Sequence, residues 1–181
     1  VYRQHMAQQS SNSALAETRI VDTDVHLSIP TEALTPYLDE PYRGHMTNPT
    51  YASLPSSGWD RSMGGKVNPA RINSVEDVDP LIEDFHVDSP ILNATSLLPR
   101  LPQSDLAENL MYAYNNVLLD SFLDENEDCY GLVTVATQKP EAAAEELDRL
   151  GDESQIVGAY ICTTGPDYPL GDPRYDVIYQ A

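Results

Sequence analysis

Four segments with strand character alternate with helical segments along this chain, and this alternation restricts the possible folds more than any other feature. The predicted strands are runs of apolar or alternating side chains at 19–26, 90–95, 129–136 and 156–162. Helical periodicity follows each of them, at 32–38, 104–122, 140–150 and from 172 onward. Strands joined by helical crossovers pair in parallel, with right-handed connections. The sequence therefore predicts an α/β domain on a parallel sheet, either a (β/α)8 barrel or a doubly wound sheet.

The spacing of these units suits either fold, and two other features favour the barrel. No glycine-rich phosphate-binding motif follows the first predicted strand, which disfavours a nucleotide-binding doubly wound sheet. A complete (β/α)8 TIM barrel needs about 250 residues. The 181 residues therefore accommodate about the first four β/α units, and we expect a fragment of a longer protein because Ala181 falls inside a predicted helix.

Two segments stand outside this repeat. Residues 1–18 are polar and are expected to form a flexible tail that precedes the barrel part at 19–181. Residues 39–73 are rich in Pro, Gly, Ser and Asn, and this composition predicts a long loop. A loop of that length inside a compact domain is usually functional or disordered.

The first predicted strand ends in the motif Asp22-Thr-Asp24-Val-His26. Side chains alternate between the faces of a strand, so its three ionisable residues are expected on one face, which is the interior of a barrel. Charged groups there are costly unless they are paired or bind a metal. Asp24 and His26 lie at the carboxyl end of the strand, where barrel active sites are built. The spacing alone leaves two interpretations open, a divalent metal site and a hydrogen-bonded polar cluster.

Composition excludes several classes of partner. The formal net charge is -19, with ten basic residues against 29 acids, so nucleic acid and anionic membrane surfaces are not expected partners. Lys66 and Lys139 are the only lysines, and residues 103–154 carry 13 acids and two bases within strongly helical sequence. An acid-coated, lysine-poor surface is typical of a protein from a high-salt cytoplasm, where salt screens the self-repulsion. The alternative is an ordinary acidic mesophilic protein.

Cysteine usage and hydropathy agree with a cytoplasmic location. Cys129 and Cys162 lie in separate predicted strands without CxxC spacing, so we expect two reduced, buried thiols. No apolar run is long enough for a transmembrane helix, and the first 17 residues lack the apolar core of a secretory signal.

Several stretches taken together resemble the amidohydrolase superfamily, in particular its amidohydrolase-related branch, which contains aminocarboxymuconate-semialdehyde decarboxylase. That family usually carries a His-x-His pair on its first strand, and some members have an acid in place of the first His, as Asp24 stands before His26 here. Other similar stretches are GWDRSMGGK at 58–66, AYNN at 113–116, EAAAEEL at 141–147 and LGDPRYD at 170–176. Their order and spacing carry the resemblance, which covers about residues 19–181.

The resemblance implies a single divalent ion, Zn or Mn, with Asp24 and His26 as its first two ligands. It also implies a His from a later strand and an Asp from the last strand. None of His5, His45 and His86 falls at the end of a predicted later strand, so these ligands are expected beyond Ala181. The implied activity is hydrolysis or non-oxidative decarboxylation of a small carboxylated or cyclic substrate, and the fragment itself is expected to be inactive.

Two further interpretations come from other functional classes. A barrel-derived protein without catalysis is one, since the later ligands are missing, and a doubly wound binding domain is the other. An open half-barrel also exposes apolar strand edges, from which we expect a possible homo-oligomer.

Weaker candidates lie at the predicted loops and strand ends. Trp59, Asp60 and Arg61 fall in the long loop, where Arg61 is a candidate to bind a substrate carboxylate, although a surface ion pair with Asp60 is the favoured interpretation. Polar residues at predicted strand ends are interpreted as turn or strand-cap residues, namely Asn93, Thr95, Thr163 and Thr164. Asn115 and Asn116 lie on the long helix, where structural hydrogen bonds are expected.

Overall fold

The computed structural model describes residues 18–47, 72–94, 98, 101–162 and 168–181. The four strands are β1 (Val21–Leu27), β2 (Ser89–Ala94), β3 (Tyr130–Thr134) and β4 (Ile156–Tyr160). The α-helices are α1 (Thr31–Leu34), α2 (Tyr42–Thr47), α3 (Asp79–Phe85), α4 (Ser104–Leu118), α5 (Pro140–Leu150) and α6 (Asp176–Gln180). Short 3-10 helices cover Thr35–Tyr37, Val75–Asp77 and Pro173–Tyr175, and a π-helical turn, Leu119–Leu123, extends α4.

The four strands form one parallel sheet in the order β1-β2-β3-β4. Every strand therefore pairs with its neighbour in sequence, as consecutive strands of a (β/α) barrel do. The common doubly wound sheets have the strand order 3-2-1-4-5-6 or 2-1-3-4-5, and neither contains four consecutive strands side by side in sequence order. Because β2 pairs with both β1 and β3, and β3 pairs with β4, the arrangement is that of consecutive barrel units.

One face of the sheet packs against the helices and forms the core. Leu92 of β2 and Val133 of β3 are at most 1% exposed, as are Leu110 and Leu118 of α4. The approach of α4 to β3 is close at Gly131, since a Cβ atom there would lie 2.9 Å from Cδ2 of Leu118 and would force that side chain to shift. The side chains that alternate with these buried residues lie on the opposite face of the sheet, which carries the candidate site.

A buried polar network fixes α4 and α5 to β3. The side chain of Asn115 on α4 accepts a hydrogen bond from the backbone N–H of Thr134 at 2.8 Å and donates to the carbonyl of the same residue at 3.0 Å. It also donates to the carboxylate of Glu146 on α5 at 2.9 Å. Arg149 donates to both oxygens of that carboxylate, at 2.6 and 2.7 Å. Glu146 is fully buried, so these hydrogen bonds replace its lost hydration.

The sequence interpretation needs three corrections, two in the helices and one in the cysteines. The long loop expected at 39–73 contains α2 in its described part, because a helix of six residues lacks a recognisable period. A serine at the start of the long helical pattern predicts an N-cap at Ser104, but Ser104 is the first residue of α4, and Gln103 occupies the N-cap without a side-chain hydrogen bond. The expected buried thiols are both free, but only Cys129 is buried, and Cys162 is half-buried.

Other expectations about the elements are confirmed. α5 spans the predicted residues, and α3 begins at Asp79 as the position of Pro80 indicated. Ser74 and Asp77 form the capping box that their three-residue spacing predicts, at the preceding 3-10 helix. Within the described residues, no helix is both long and apolar enough to cross a membrane.

The acid-coated surface leads to a prediction about salt. Asp124, Glu125, Glu127 and Asp128 are all exposed in the turn before β3, and the chain carries a net charge of -19. Raising KCl from 0.1 to 2 M shortens the Debye length from about 10 Å to under 3 Å, so we expect the thermal midpoint to rise by roughly 5 °C or more. Differential scanning calorimetry across this range measures the shift.

A matched variant controls for general salt effects on apolar burial. Neutralising the four turn acids to Asn and Gln is expected to reduce the salt-induced shift, because less repulsion remains to be screened. A midpoint that does not rise in KCl contradicts salt adaptation. An identical rise in both proteins assigns the effect to something other than these charges.

Candidate metal centre

Asp24 and His26 lie near the carboxyl end of β1 and point away from the helical core. The intervening and following residues, Val25 and Leu27, are 4% and 2% exposed and belong to that core. Alternation along the strand therefore puts Asp24 and His26 on the other face. There, Nε2 of His26 lies 3.1 Å from Oδ1 of Asp24, and the two side chains are 26% and 72% exposed.

Asp22 does not continue this arrangement in the way strict alternation predicted. The register of β1 against β2 runs from Asp22 opposite Pro90 to Val25 opposite Leu92, so β1 advances one residue more than its partner. This irregularity is a bulge, which interrupts the two-residue period. The carboxylate of Asp22 instead accepts a hydrogen bond from the backbone N–H of Asp24 at 3.1 Å. Asp22 thus holds the backbone beside the candidate ligand.

The two side chains fit a divalent ion as a pair of ligands. A carboxylate oxygen and an imidazole nitrogen are ligands for Zn²⁺, with bond lengths of about 2.0–2.2 Å. Two such ligands at roughly a right angle lie about 3 Å apart, close to the observed separation of Nε2 and Oδ1. Across the described residues, no group of three or more His, Cys, Asp or Glu side chains is placed to hold a metal. Within the described residues, Asp24 and His26 thus remain a pair of candidate ligands.

The face that carries this pair extends across all four strands at their carboxyl ends. His26 is in register with Asn93 of β2, and Thr134 of β3 is in register with Tyr160 of β4. Thr134 lies between Val133 and Val135, which are core residues, so it faces away from the helices. We call the face with Asp24, His26, Asn93, Thr134 and Tyr160 the inner face.

The ring of Tyr160 comes within electrostatic range of the pair on β1. Burial raises the pKa of its hydroxyl, and the negative charges of Cys162 and Asp24 raise it further. Tyr160 therefore remains a neutral hydroxyl at physiological pH and is available as a hydrogen-bond donor. The sequence analysis did not predict that Tyr160 and Thr134 lie on the inner face. The signal that could have identified them is a polar side chain at the last position of an apolar strand.

The remaining candidates fall into two groups. Trp59, Asp60 and Arg61 lie outside the described residues, as do Thr95, Thr163 and Thr164. Asn115 makes the structural hydrogen bonds expected of it, and Asn116 accepts one from Arg149 at 3.1 Å. The inner face is thus assembled from strand residues.

A polar cleft of about 230 Å³ lies between the loops that follow β3 and β4, with Thr137, Glu141 and Arg174 in its lining. The guanidinium of Arg174 lies over the ring of Tyr168 at 3.1 Å from its centre and donates to Asp172 at 2.9 Å. Because Asp172 balances this charge and Glu141 adds another carboxylate, the cleft has no net attraction for an anion.

No known protein-family profile matches this chain, and no curated protein sequence matches it. Among solved structures, it is similar to two crystal structures of 5-carboxyvanillate decarboxylase from Novosphingobium aromaticivorans DSM 12444, each at 22% identity. One is a complex with manganese and 4-hydroxy-3-methoxy-5-nitrobenzoic acid, with a TM-score of 0.68, and the other is a point mutant with manganese and the same type of ligand, with a TM-score of 0.67.

The alignment covers 93% of this chain but 49% and 48% of those chains, so the chain spans about half the length of the structures it matches. At this identity the similarity establishes a shared fold. It agrees with the strand order, in which four consecutive β/α units form a parallel sheet.

Proposed function

We propose that this chain is part of a metal-dependent enzyme of the amidohydrolase superfamily that decarboxylates a small aromatic or cyclic carboxylate without oxidation. The observation that carries the proposal is the placement of Asp24 and His26, 3.1 Å apart on the inner face at the carboxyl end of β1. Carboxyl ends of barrel strands are where catalytic residues of this fold are found. Hydrolysis of a small cyclic substrate is the related alternative.

The sheet would then belong to a (β/α)8 barrel with further strands beside β1 and β4. These outer strands of the described sheet leave Val21 46% and Val157 49% exposed, as expected where another strand would pack. The chain matches about half of a manganese-containing decarboxylase, which supports both the barrel and the ion. In this arrangement, the later strands would contribute the other ligands.

The inner face supplies positions for both the ion and the substrate. Asp24 and His26 would hold a divalent ion, for which Mn²⁺ is our first choice and Zn²⁺ the second. When bound, the ion would supply Lewis acidity towards a carboxylate substrate. The carboxylate of Asp22 accepts a hydrogen bond from the backbone N–H of Asp24 and would so help to keep the Asp24 side chain in position. Tyr160 offers a neutral hydroxyl to the same space.

A turnover assay tests this function. The full-length protein that contains this chain is incubated with Mn²⁺ and 5-carboxyvanillate or hydroxybenzoates, with release of CO₂ as the readout, and in parallel with small lactones and amides. We expect metal-dependent CO₂ release from a carboxylate that disappears with a chelator and returns with Mn²⁺. Turnover of a lactone or amide alone would assign hydrolysis instead.

The second function is that of a non-catalytic binding protein. It is favoured by one observation, that the described residues bring together only two candidate ligands. Such a protein would bind a small carboxylate and leave it unchanged. Binding by calorimetry without CO₂ release or hydrolysis, in protein loaded with Mn²⁺, would select this function over the enzyme.

A further inference from the structure

The polar cleft between the loops that follow β3 and β4 contains two buried side-chain atoms that lack hydrogen bonds among the described residues. One is Oγ1 of Thr137, a residue that is 3% exposed, and the other is Oε1 of Gln138. Both residues line the cleft, and none of its lining residues belongs to the inner face. A buried polar atom without a partner costs free energy, so native proteins leave few of them. The two atoms therefore point to a binding site apart from Asp24 and His26.

The amide of Gln138 is held in one orientation by the backbone. Its Nε2 donates to the carbonyl of Leu98 and to the carbonyl of Leu101, the latter at 3.0 Å. A carbonyl can only accept, so the amide nitrogen must face these two groups and Oε1 must face away from them. Since Oε1 is also only an acceptor, a ligand at this position has to supply a donor.

The charges around the cleft favour a cation. Glu141, in the first turn of α5, is exposed, and no ion pair joins its carboxylate to another described residue. Lys139 lies close by in sequence but contacts two carboxylates of α4 instead, at 2.7 and 3.4 Å. The charge of Arg174 is balanced by Asp172. The carboxylate of Glu141 therefore gives the cleft an excess of negative charge.

The cleft is large enough for a small molecule. Its volume is about 230 Å³, whereas a single water needs only about 10–15 Å³ of such space. Tyr168 and Tyr175 belong to its lining and can pack against a short apolar group. The two buried atoms become reachable when exposed side chains at the rim, such as that of Glu141, rotate. Side-chain rotations of this kind are common on binding.

We propose that this cleft binds a small protonated primary amine. A primary ammonium group has three donors and no acceptor. The cleft offers three acceptors to match it, namely the hydroxyl oxygen of Thr137, Oε1 of Gln138 and the carboxylate of Glu141. An alcohol can donate to only one of these groups and a carboxylate ion to none. The excess negative charge favours the same class of ligand.

The test compares n-butylamine, 1-butanol and tetramethylammonium on the full-length protein that contains this chain. Butanol has the shape of the amine without its charge, and tetramethylammonium has the charge without an N–H donor. We expect butylamine to bind at least about tenfold more tightly than either, because hydrogen bonds to charged groups are the stronger ones. Ligand-detected NMR measures the affinities.

Two variants locate the site, and a third is the matched control. Thr137→Val and Glu141→Gln should each weaken butylamine binding about tenfold. Glu145 is an exposed carboxylate one turn further along α5 and outside the lining of the cleft, so Glu145→Gln should change the affinity less than about twofold. Equal losses in Glu141→Gln and Glu145→Gln, or equal binding of butylamine and tetramethylammonium, would show a general attraction of the acidic surface for cations and overturn the inference.

The remaining outcomes are equally decisive. Valine has the shape of threonine without its hydroxyl, so Thr137→Val should keep the thermal midpoint, and a fall of several degrees would show that the hydroxyl holds the fold instead. Ligands of this size reach roughly millimolar affinity, so no detectable butylamine binding at about 50 mM overturns the inference. Markedly tighter binding of Nα-acetyl-lysine methylamide than of butylamine would assign the cleft to a lysine side chain of a partner protein and overturn the free amine.

Discussion

Replacing Asn115 by alanine is expected to lower the free energy of unfolding by about 3 kcal/mol, because several buried groups lose their partner at once. The side chain bonds both backbone groups of Thr134 and the carboxylate of Glu146. Thr134 lies beyond Leu92–Gly131, the last registered pair between β2 and β3, so Asn115 supplies hydrogen bonds that β2 does not. Glu146 is fully buried and, among its described partners, keeps only Arg149 after the substitution.

Urea unfolding of Asn115→Ala beside Asn116→Ala measures this effect with a matched control. Asn116 is the next residue on α4, half-buried, and makes one hydrogen bond to a half-exposed arginine. Its replacement should cost no more than about 0.5 kcal/mol, as for an ordinary surface site. Similar losses in the two variants would mean that the network contributes little and that helix propensity dominates.

The largest functional effect is expected from His26→Ala and Asp24→Ala, which should each weaken Mn²⁺ binding at least about 100-fold. Loss of a residue that merely supports a ligand costs roughly 10- to 100-fold, and loss of a ligand should exceed that. The two side chains lie on one face, 3.1 Å apart, where each would bind the ion with its own atom. Removing one of them therefore leaves a coordination position that the other does not fill. Electron paramagnetic resonance of free Mn²⁺ in a titration gives the affinities.

His86→Asn is the control for this series. His86 is exposed at the end of α3 with a φ of 55°, a left-handed conformation that asparagine tolerates. Its replacement should leave Mn²⁺ affinity unchanged. If His86→Asn weakens binding as much as His26→Ala, the ion is held by general negative charge and histidine content, and the site on β1 is wrong.

The sequence predicted those parts of the fold that repeat with a clear period. α5 carries alanines and leucines at helical spacing after Pro140, and its limits agree with the structure. The strands were placed to within two residues because their apolar runs end at polar or turn-forming residues. The parallel pairing was predicted from the alternation of strands and helices, because a helix that connects two strands of one sheet makes those strands parallel.

Features that depend on tertiary contacts were not predictable in this way. The bulge between Asp22 and Val25 is seen only in the pairing of β1 with β2. The two-residue alternation within β1 therefore does not carry Asp22 onto the same face as Asp24 and His26. In the sequence, Glu146 resembles the other acidic residues of α5, which are expected on the helix surface. Its burial depends on hydrogen bonds with Asn115 and Arg149, which are tertiary contacts. Nothing local in the sequence shows that the side-chain oxygen of Asn93 is buried without a hydrogen bond among the described residues.

The candidate site was predictable in part for the same reason. Asp24 and His26 are two residues apart, so strand alternation alone brought them together. Tyr160 lies 134 positions after His26 in the chain and reaches the inner face only through the order of the four strands. Ligands contributed by distant strands cannot be paired from spacing.

The most direct test of the site is a crystal of the protein soaked in Mn²⁺, with data collected at the manganese absorption edge. We expect an anomalous peak on the inner face within about 2.0–2.3 Å of a carboxylate oxygen of Asp24 and a ring nitrogen of His26. A peak elsewhere, or an ordered Asp24–His26 pair that keeps its 3.1 Å contact without an ion in saturating Mn²⁺, would contradict the metal centre.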